Sequence, residues 1–255
     1  AIDDYVLKYP NHDCGWTEKG VIHLEREEYE KGIAATLKSL EINPHNTHAW
    51  NNLGIALNRT GAPIDRVKEA YSCALSLDPG NTAALMNLVG PLVLSKEYSE
   101  AARITARALK MRPNKPLVLA KAQELLRECF DVKNMDAAES LLSGWTQARP
   151  TDVDAWHNLG LVALEGQHPD RAIECFKIVA RLKPGNNFAL LQLAKLYFEK
   201  KKARECLEYC DQLLTRGYKP LVAISIKARV LNFTLGYQAA LKFLQPYLDH
   251  NPEED

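Results

Sequence analysis

The sequence lacks an excess of charge of either sign, because 32 lysine and arginine residues are balanced by 32 aspartate and glutamate residues. Proteins that bind a nucleic-acid backbone or an anionic membrane surface need a clear cationic excess. We therefore expect that nucleic acid is not a partner of this chain.

Long apolar runs are also missing. The longest uninterrupted runs contain four residues, whereas a helix that crosses a membrane needs about 20. This excludes membrane insertion as a function of the segment.

Cysteine is scarce, with six residues in a chain of 255. They are widely spaced except for Cys206 and Cys210, which is too sparse for a disulfide-stapled scaffold. Reduced thiols and a cytoplasmic location are the interpretation that the sequence favours.

What the sequence does have is a regular spacing of proline. Successive prolines are separated by 34, 35, 34, 37 and 34 residues, and a further one follows two periods later at Pro252. Such a period indicates an array of structural repeats rather than one compact domain. The six evenly spaced prolines are Pro10, Pro44, Pro79, Pro113, Pro150 and Pro184.

The side chains between the prolines follow a recurring pattern of one aromatic, several apolar and several small positions. The clearest copies are Trp156, Leu159, Gly160, Ala163, Ala172, Phe176 and Pro184, and Trp50, Leu53, Gly54, Leu57, Val67, Tyr71, Ala74 and Pro79. This pattern resembles the tetratricopeptide repeat. The resemblance implies an all-α chain, folded as a right-handed superhelix of about seven helical hairpins.

Applied along the chain, the period predicts repeat boundaries. Residues 1–12 end a truncated preceding repeat, and seven repeats follow at 13–46, 47–81, 82–115, 116–152, 153–186, 187–220 and 221–255. The fourth is divergent and carries three extra residues near Asp131 to Asn134, which we expect in the turn between its two helices. Asparagine and aspartate near the repeat boundaries, such as Asn46 and Asp152, predict helix N-caps.

The resemblance also implies where ligands bind, since the first helices of such repeats line a concave groove. Four of the seven side chains at the sixth repeat position are carboxamides, and a carboxamide can both donate to and accept from a peptide backbone. An alternative is that these side chains are only solvated. The candidate peptide-binding residues are Asn51, Asn52, Asn87, Lys121, Asn158, Gln192, His157, Lys195 and Arg229.

The sequence gives little sign of metal binding, cofactor binding or catalysis. Cys206 and Cys210 occupy core positions of their repeat, and Cys14 with His48 makes at most a fortuitous cluster, so we expect no metal and no cofactor. The sequence contains no catalytic or nucleotide-binding motif that we recognise.

These features favour a non-catalytic scaffold that binds a protein partner, either an extended peptide or a partner's helix, in the groove. One alternative is the substrate-recognition or assembly arm of a larger enzyme, such as a glycosyltransferase or a polysaccharide synthesis or export machine. Another is self-assembly into a homo-oligomer through uncapped terminal helices.

Overall fold

The computed structural model describes residues 2–248, and every regular element in this range is an α-helix. The helices lie in two compact units that are divided between Arg149 and Pro150. The first unit contains α1 (Ile2–Lys8), α2 (Asp13–Glu25), α3 (Tyr29–Ile42), α4 (Thr47–Arg59), α5 (Ile64–Leu77), α6 (Thr82–Leu94), α7 (Tyr98–Met111), α8 (Pro116–Asp131) and α9 (Met135–Ala148). The second contains α10 (Val153–Glu165), α11 (Pro169–Leu182), α12 (Asn187–Glu199), α13 (Ala203–Thr215), α14 (Pro220–Leu235) and α15 (Tyr237–Leu248). The predicted all-α class is confirmed.

Within each unit, helices that follow one another along the chain pack together. The first helix of a pair packs on its partner, and the partner packs on the first helix of the next pair, as in the series α2, α3, α4 and α5. This nearest-neighbour packing is how repeats that cannot bury their own apolar stripes share a core.

Four first helices, α4, α6, α10 and α12, begin at polar side chains that cap them. In the first unit the side-chain oxygens of Asn46 and Asn81 accept hydrogen bonds from the backbone N–H groups of Ala49 and Ala84. Asp152 and Asn186 make the same contact in the second unit. Each cap satisfies an N–H that the first turn leaves without an intrahelical partner, so the predicted N-caps are confirmed.

Glycine at the small repeat positions allows two helices of a pair to approach closely. A Cβ atom on Gly54 would lie 2.6 Å from the Tyr71 ring, and one on Gly160 would lie 2.9 Å from the Phe176 ring. Both rings are buried, with exposed fractions of 1% and 0%. The aromatic side chain of the second helix therefore fills the space that the missing side chain leaves.

The fourth hairpin departs from the regular packing. Helix α9 contacts α7 more extensively than it contacts α8, its neighbour in sequence. Small residues explain the close approach, because a Cβ on Gly144 would lie only 2.4 Å from the Cβ of Ala106.

The three extra residues of this hairpin also lie elsewhere than expected. They lengthen α8 to 16 residues, compared with 13 in α4 and α6. The turn that follows α8 keeps three residues, with Lys133 at φ 56°. At the other end of the chain, Pro252 of the last predicted repeat lies outside the described residues.

Three of the periodic prolines are bound by a tryptophan of the helix that follows. In each case the indole N–H, at a position near the start of that helix, donates to the carbonyl oxygen of the proline six residues earlier. The N···O distance is 2.9 Å in all three, and the donors are Trp16, Trp50 and Trp156.

At the other three prolines an arginine supplies the donor. The guanidinium groups of Arg107, Arg149 and Arg216 donate to the carbonyl oxygens of Pro79, Pro113 and Pro184, respectively. All six of the evenly spaced prolines thus have a carbonyl oxygen with a side-chain donor. Carbonyl groups beyond a helix end need such partners or water.

Candidate functional site

Two of the predicted carboxamides contact each other in the first unit. The Nδ2 group of Asn87, on α6, donates to Oδ1 of Asn51, on α4, over 3.2 Å. Both side chains are half-buried. The bond occupies one donor and one acceptor, which leaves each carboxamide further hydrogen-bonding capacity.

Asn87 also borders a pocket of about 260 Å³ that reaches α8. Lys121 lies on its α8 side, where its Nζ contacts Glu124 Oε2 at 2.7 Å. The full lining is Ile55, Asn58, Arg59, Tyr71, Met86, Asn87, Gly90, Pro91 and Lys121. This pocket combines a cation, carboxamides and apolar surface.

Asn52 lies in a different pocket, of about 290 Å³, between α2 and α4. It shares this pocket with Cys14, Thr17, Glu18, Val21, Asn46 and His48. The two neighbouring asparagines therefore face different parts of the first unit's surface: Asn51 contacts Asn87, and Asn52 borders the pocket between α2 and α4.

A polar network supports the floor of this second pocket. Asn46 donates to Asp13 Oδ2 at 3.0 Å and to Thr17 Oγ1 at 2.9 Å, and Thr17 bonds to Ser39 at 2.8 Å. The hydrogen bond from Asn43 to Asp13, together with that from Asn46, holds the pKa of the Asp13 carboxyl below its ordinary value against opposing desolvation. The network ties the first two hairpins together and had no signal in the repeat pattern.

In the second unit, His157 is part of an aromatic cluster. Its ring centroid lies 4.9 Å from that of Phe188 and 6.2 Å from that of Phe176. Burial lowers the pKa of the imidazole, and Asp154 opposes this more weakly. Burial thus favours the neutral form of the ring, which offers mainly apolar surface to its neighbours. Asn158 and Gln192 lie half-buried on the same two helices, α10 and α12.

Lys195 and Arg229 come together on the border of one pocket between α12 and α14, with a volume of about 480 Å³. Its lining is Lys195, Phe198, Glu199, Leu221, Val222, Ser225, Ile226 and Arg229. A second pocket of about 360 Å³ lies beside it and is lined by Tyr197, Phe198, Glu199, Lys201, Ala203, Arg229, Val230, Asn232 and Phe233. Both are bordered by the Phe198 ring, over which the Arg229 guanidinium carbon lies 4.5 Å from the centroid.

The expected site residues thus form separate groups. The structure joins Asn51 to Asn87 and places Lys121 near them, and it places Lys195 with Arg229. Phe198 stands one turn beyond Lys195 on the same helix, at a groove position that the repeat spacing predicts, but its contact with Arg229 had no signal in the sequence.

The described residues hold no group of three or more histidine, cysteine, aspartate or glutamate side chains suited to a metal ion. Cys206 and Cys210 are fully buried, and the Cys206 thiol donates to the Ala194 carbonyl oxygen. Between residues 2 and 248, no helix has both the length and the apolar character that a membrane span requires.

Comparison with known proteins agrees with this architecture. Residues 153–186 match the sequence profile described as "Tetratricopeptide repeat". The predicted tetratricopeptide-repeat architecture is confirmed. The same 34-residue segment contains the Gly160 and Phe176 contact and the His157 ring.

Two curated proteins are similar in sequence over most of the chain. Protein O-mannosyl-transferase TMTC3 of Homo sapiens is 28% identical over 195 residues, which is 76% of this chain and 21% of that protein. The peroxisomal targeting signal receptor of Candida albicans is 25% identical over 202 residues, which is 72% of this chain and 32% of that protein. The chain spans about a third or less of the length of these relatives.

Two solved structures share the fold. The structure of Naa15/Naa10 bound to HypK-THB has a TM-score of 0.60 at 17% identity, covering 95% of this chain and 37% of the matched chain. YrrB, described as a TPR protein with an unusual peptide-binding site, has a TM-score of 0.51 at 18% identity, covering 74% of this chain and 96% of that one.

Proposed function

We propose that this chain is a non-catalytic protein-interaction module that binds an extended peptide or a partner's helix through its first helices. The observation that carries the proposal is the presence of open pockets on the first helices. Those of the first unit, on α2, α4 and α6, are lined by half-buried carboxamides and apolar groups, and one in the second unit, on α12 and α14, is lined by apolar groups with Lys195 and Arg229. Pockets with a few polar groups among apolar ones are typical of binding sites.

The carboxamides support a peptide as the ligand. Asn51, Asn52 and Asn87 can each donate to a carbonyl and accept from an N–H, which are the two groups that every peptide unit presents. Such contacts hold a backbone without reading its sequence, and the apolar parts of the pockets would then supply selectivity.

Selection of peptides from a random display library on the purified chain tests the proposal. Peptides recovered on the wild type should lose affinity for the double variant Asn52→Ala, Asn87→Ala, while the circular dichroism spectrum stays helical. Gln147→Ala is the matched control, because Gln147 is an exposed carboxamide on the second helix α9. Equal affinity for all three proteins, or recovery of no peptide, would contradict the proposal.

A second candidate function is the substrate-recognition arm of a larger glycosyltransferase. The similarity to protein O-mannosyl-transferase TMTC3 favours it, because the matched segment makes up only 21% of that protein. In this case the peptide held by the repeats is an acceptor for a catalytic domain in the same polypeptide. Sequencing the complete reading frame distinguishes this arrangement from an independent scaffold.

A further inference from the structure

The two pockets between α12 and α14 share one dividing ridge. Phe198, Glu199 and Arg229 border both, and the Arg229 guanidinium lies against the Phe198 ring at 4.5 Å, a cation–π contact. The ridge thus presents a positive charge with an apolar cavity on either side. Contact with the ring also restricts the arginine side chain, which lowers the entropy lost when a ligand binds it.

The cavities themselves are mainly apolar. Val222 and Ile226 border the larger pocket, and Val230 and Phe233 border the smaller one. Phe233 is 69% exposed and Leu221, at the far edge of the larger pocket, is 80% exposed. Apolar surface of this extent beside a charge is what an interface uses to bind a large side chain.

The charge around the ridge is positive. Lys195, Lys201 and Arg229 line the two pockets, and Glu199 is their one acidic lining residue among residues 2–248. Within the same range, no carboxylate lies at salt-bridge distance from the Arg229 guanidinium. A ligand carboxylate would complete its hydrogen bonding, because a guanidinium binds carboxylates in a bidentate fashion.

We propose that this pair of pockets binds an acidic peptide segment with two large apolar side chains, one in each cavity, and a carboxylate paired with Arg229. This rests on the proposed peptide-binding function and names its ligand class. In an extended chain, residues i, i+2 and i+4 point to the same side. Apolar side chains at i and i+4 can therefore enter the two cavities while a carboxylate at i+2 meets Arg229 on the ridge between them. The acidic character sets this ligand apart from a peptide that the carboxamides hold by its backbone alone.

A set of labelled peptides tests the ligand class by fluorescence polarisation. The probe is Glu-Gly-Phe-Gly-Glu-Gly-Phe-Gly-Glu, which in an extended chain places both phenylalanines and all three glutamates on one face. Three comparison peptides replace all three glutamates of the probe by glutamine, all three by lysine, or both phenylalanines by alanine. We expect the lysine and alanine peptides to bind at least about tenfold more weakly, and the glutamine peptide to lie between them and the probe.

A charge reversal in the protein tests the contact with Arg229. The Arg229→Glu variant should bind the lysine peptide more tightly than the glutamate probe, reversing the wild-type order. Arg181→Glu on α11 is the matched control, since Arg181 is an exposed arginine on a second helix, and it should keep the wild-type order. Circular dichroism checks that all three proteins fold equally.

The outcomes separate this inference from the broader proposal. Equal affinity of the wild type for the glutamate and lysine peptides overturns the inference, as does an unchanged order in Arg229→Glu. If library peptides bind in a manner that depends on Asn52 and Asn87 while the acidic probe does not bind, peptide binding stands and this ligand class is wrong. If no peptide of either kind binds, both proposals are wrong.

Discussion

Substitution of Gly160 by alanine should destabilise the chain, although alanine is the better helix former. The new Cβ would lie 2.9 Å from two atoms of the Phe176 ring and 3.2 Å from a third. The ring is 0% exposed and has no free space to enter. Overpacking of this kind costs about 1 to 3 kcal/mol, while the gain in helix propensity is about 1 kcal/mol. The expected net loss is therefore up to about 2 kcal/mol.

Gly32→Ala is the matched control, because Gly32 is also helical and buried but a Cβ there would meet Leu24 at an ordinary 3.5 Å. It should raise stability by about 1 kcal/mol. Urea unfolding followed by circular dichroism measures both variants. Phe176→Leu removes the ring-edge atoms that the new methyl group would meet, so Gly160→Ala should become nearly harmless in that background. Equal effects of the two alanine substitutions, or no rescue by Phe176→Leu, would refute the steric reasoning.

Three further expectations concern hydrogen bonds and thiols. Trp50→Phe should lower the free energy of unfolding by about 1 kcal/mol or more through loss of the bond to the Pro44 carbonyl, and a urea midpoint equal to wild type would contradict this. Because the folded-state pKa of Asp13 is lowered, its stabilising effect is present above the unfolded value of about 4 and is lost as pH falls below it. Melting temperatures of Asp13→Asn and wild type should therefore converge between pH 6 and about pH 3, and a constant difference would count against the network. A thiol reagent should label Cys14 and Cys73 in the native chain and the other four only on unfolding, since those four are buried; burial raises the pKa of two of these, Cys129 and Cys175, to about 11.

Much of the fold was predictable because its rules are local. The asparagine before α4 caps the helix through a residue three positions on, and the small position of Gly160 follows from a fixed distance along the repeat. Such contacts depend on a few neighbouring residues, so the sequence pattern contains them. The helix pairs and the faces they bury follow in the same way.

The candidate site was less predictable because it depends on contacts between helices of different repeats. The sequence places Asn87 and Asn51 on groove positions, but their mutual hydrogen bond requires the spacing of α4 and α6. Phe198 and Arg229 are 31 residues apart, and an exposed arginine on a helix has many possible neighbours. The hydrogen bonds from arginines to proline carbonyls also join residues in different repeats, so the sequence pattern does not predict them.

The side-chain hydrogen bonds to the proline carbonyls fall into two groups, which differ in how early in folding they can form. A tryptophan and its proline are six residues apart, whereas Arg107, Arg149 and Arg216 reach back 28, 36 and 32 residues. Closing a short loop loses less chain entropy and happens sooner. We therefore expect the boundaries at Pro44 and Pro150 to organise while the chain is still folding locally. The contacts at Pro79 and Pro184 can form only after the following hairpin has packed in place, because that hairpin supplies the arginine. Each of these contacts therefore reports that the next repeat has folded.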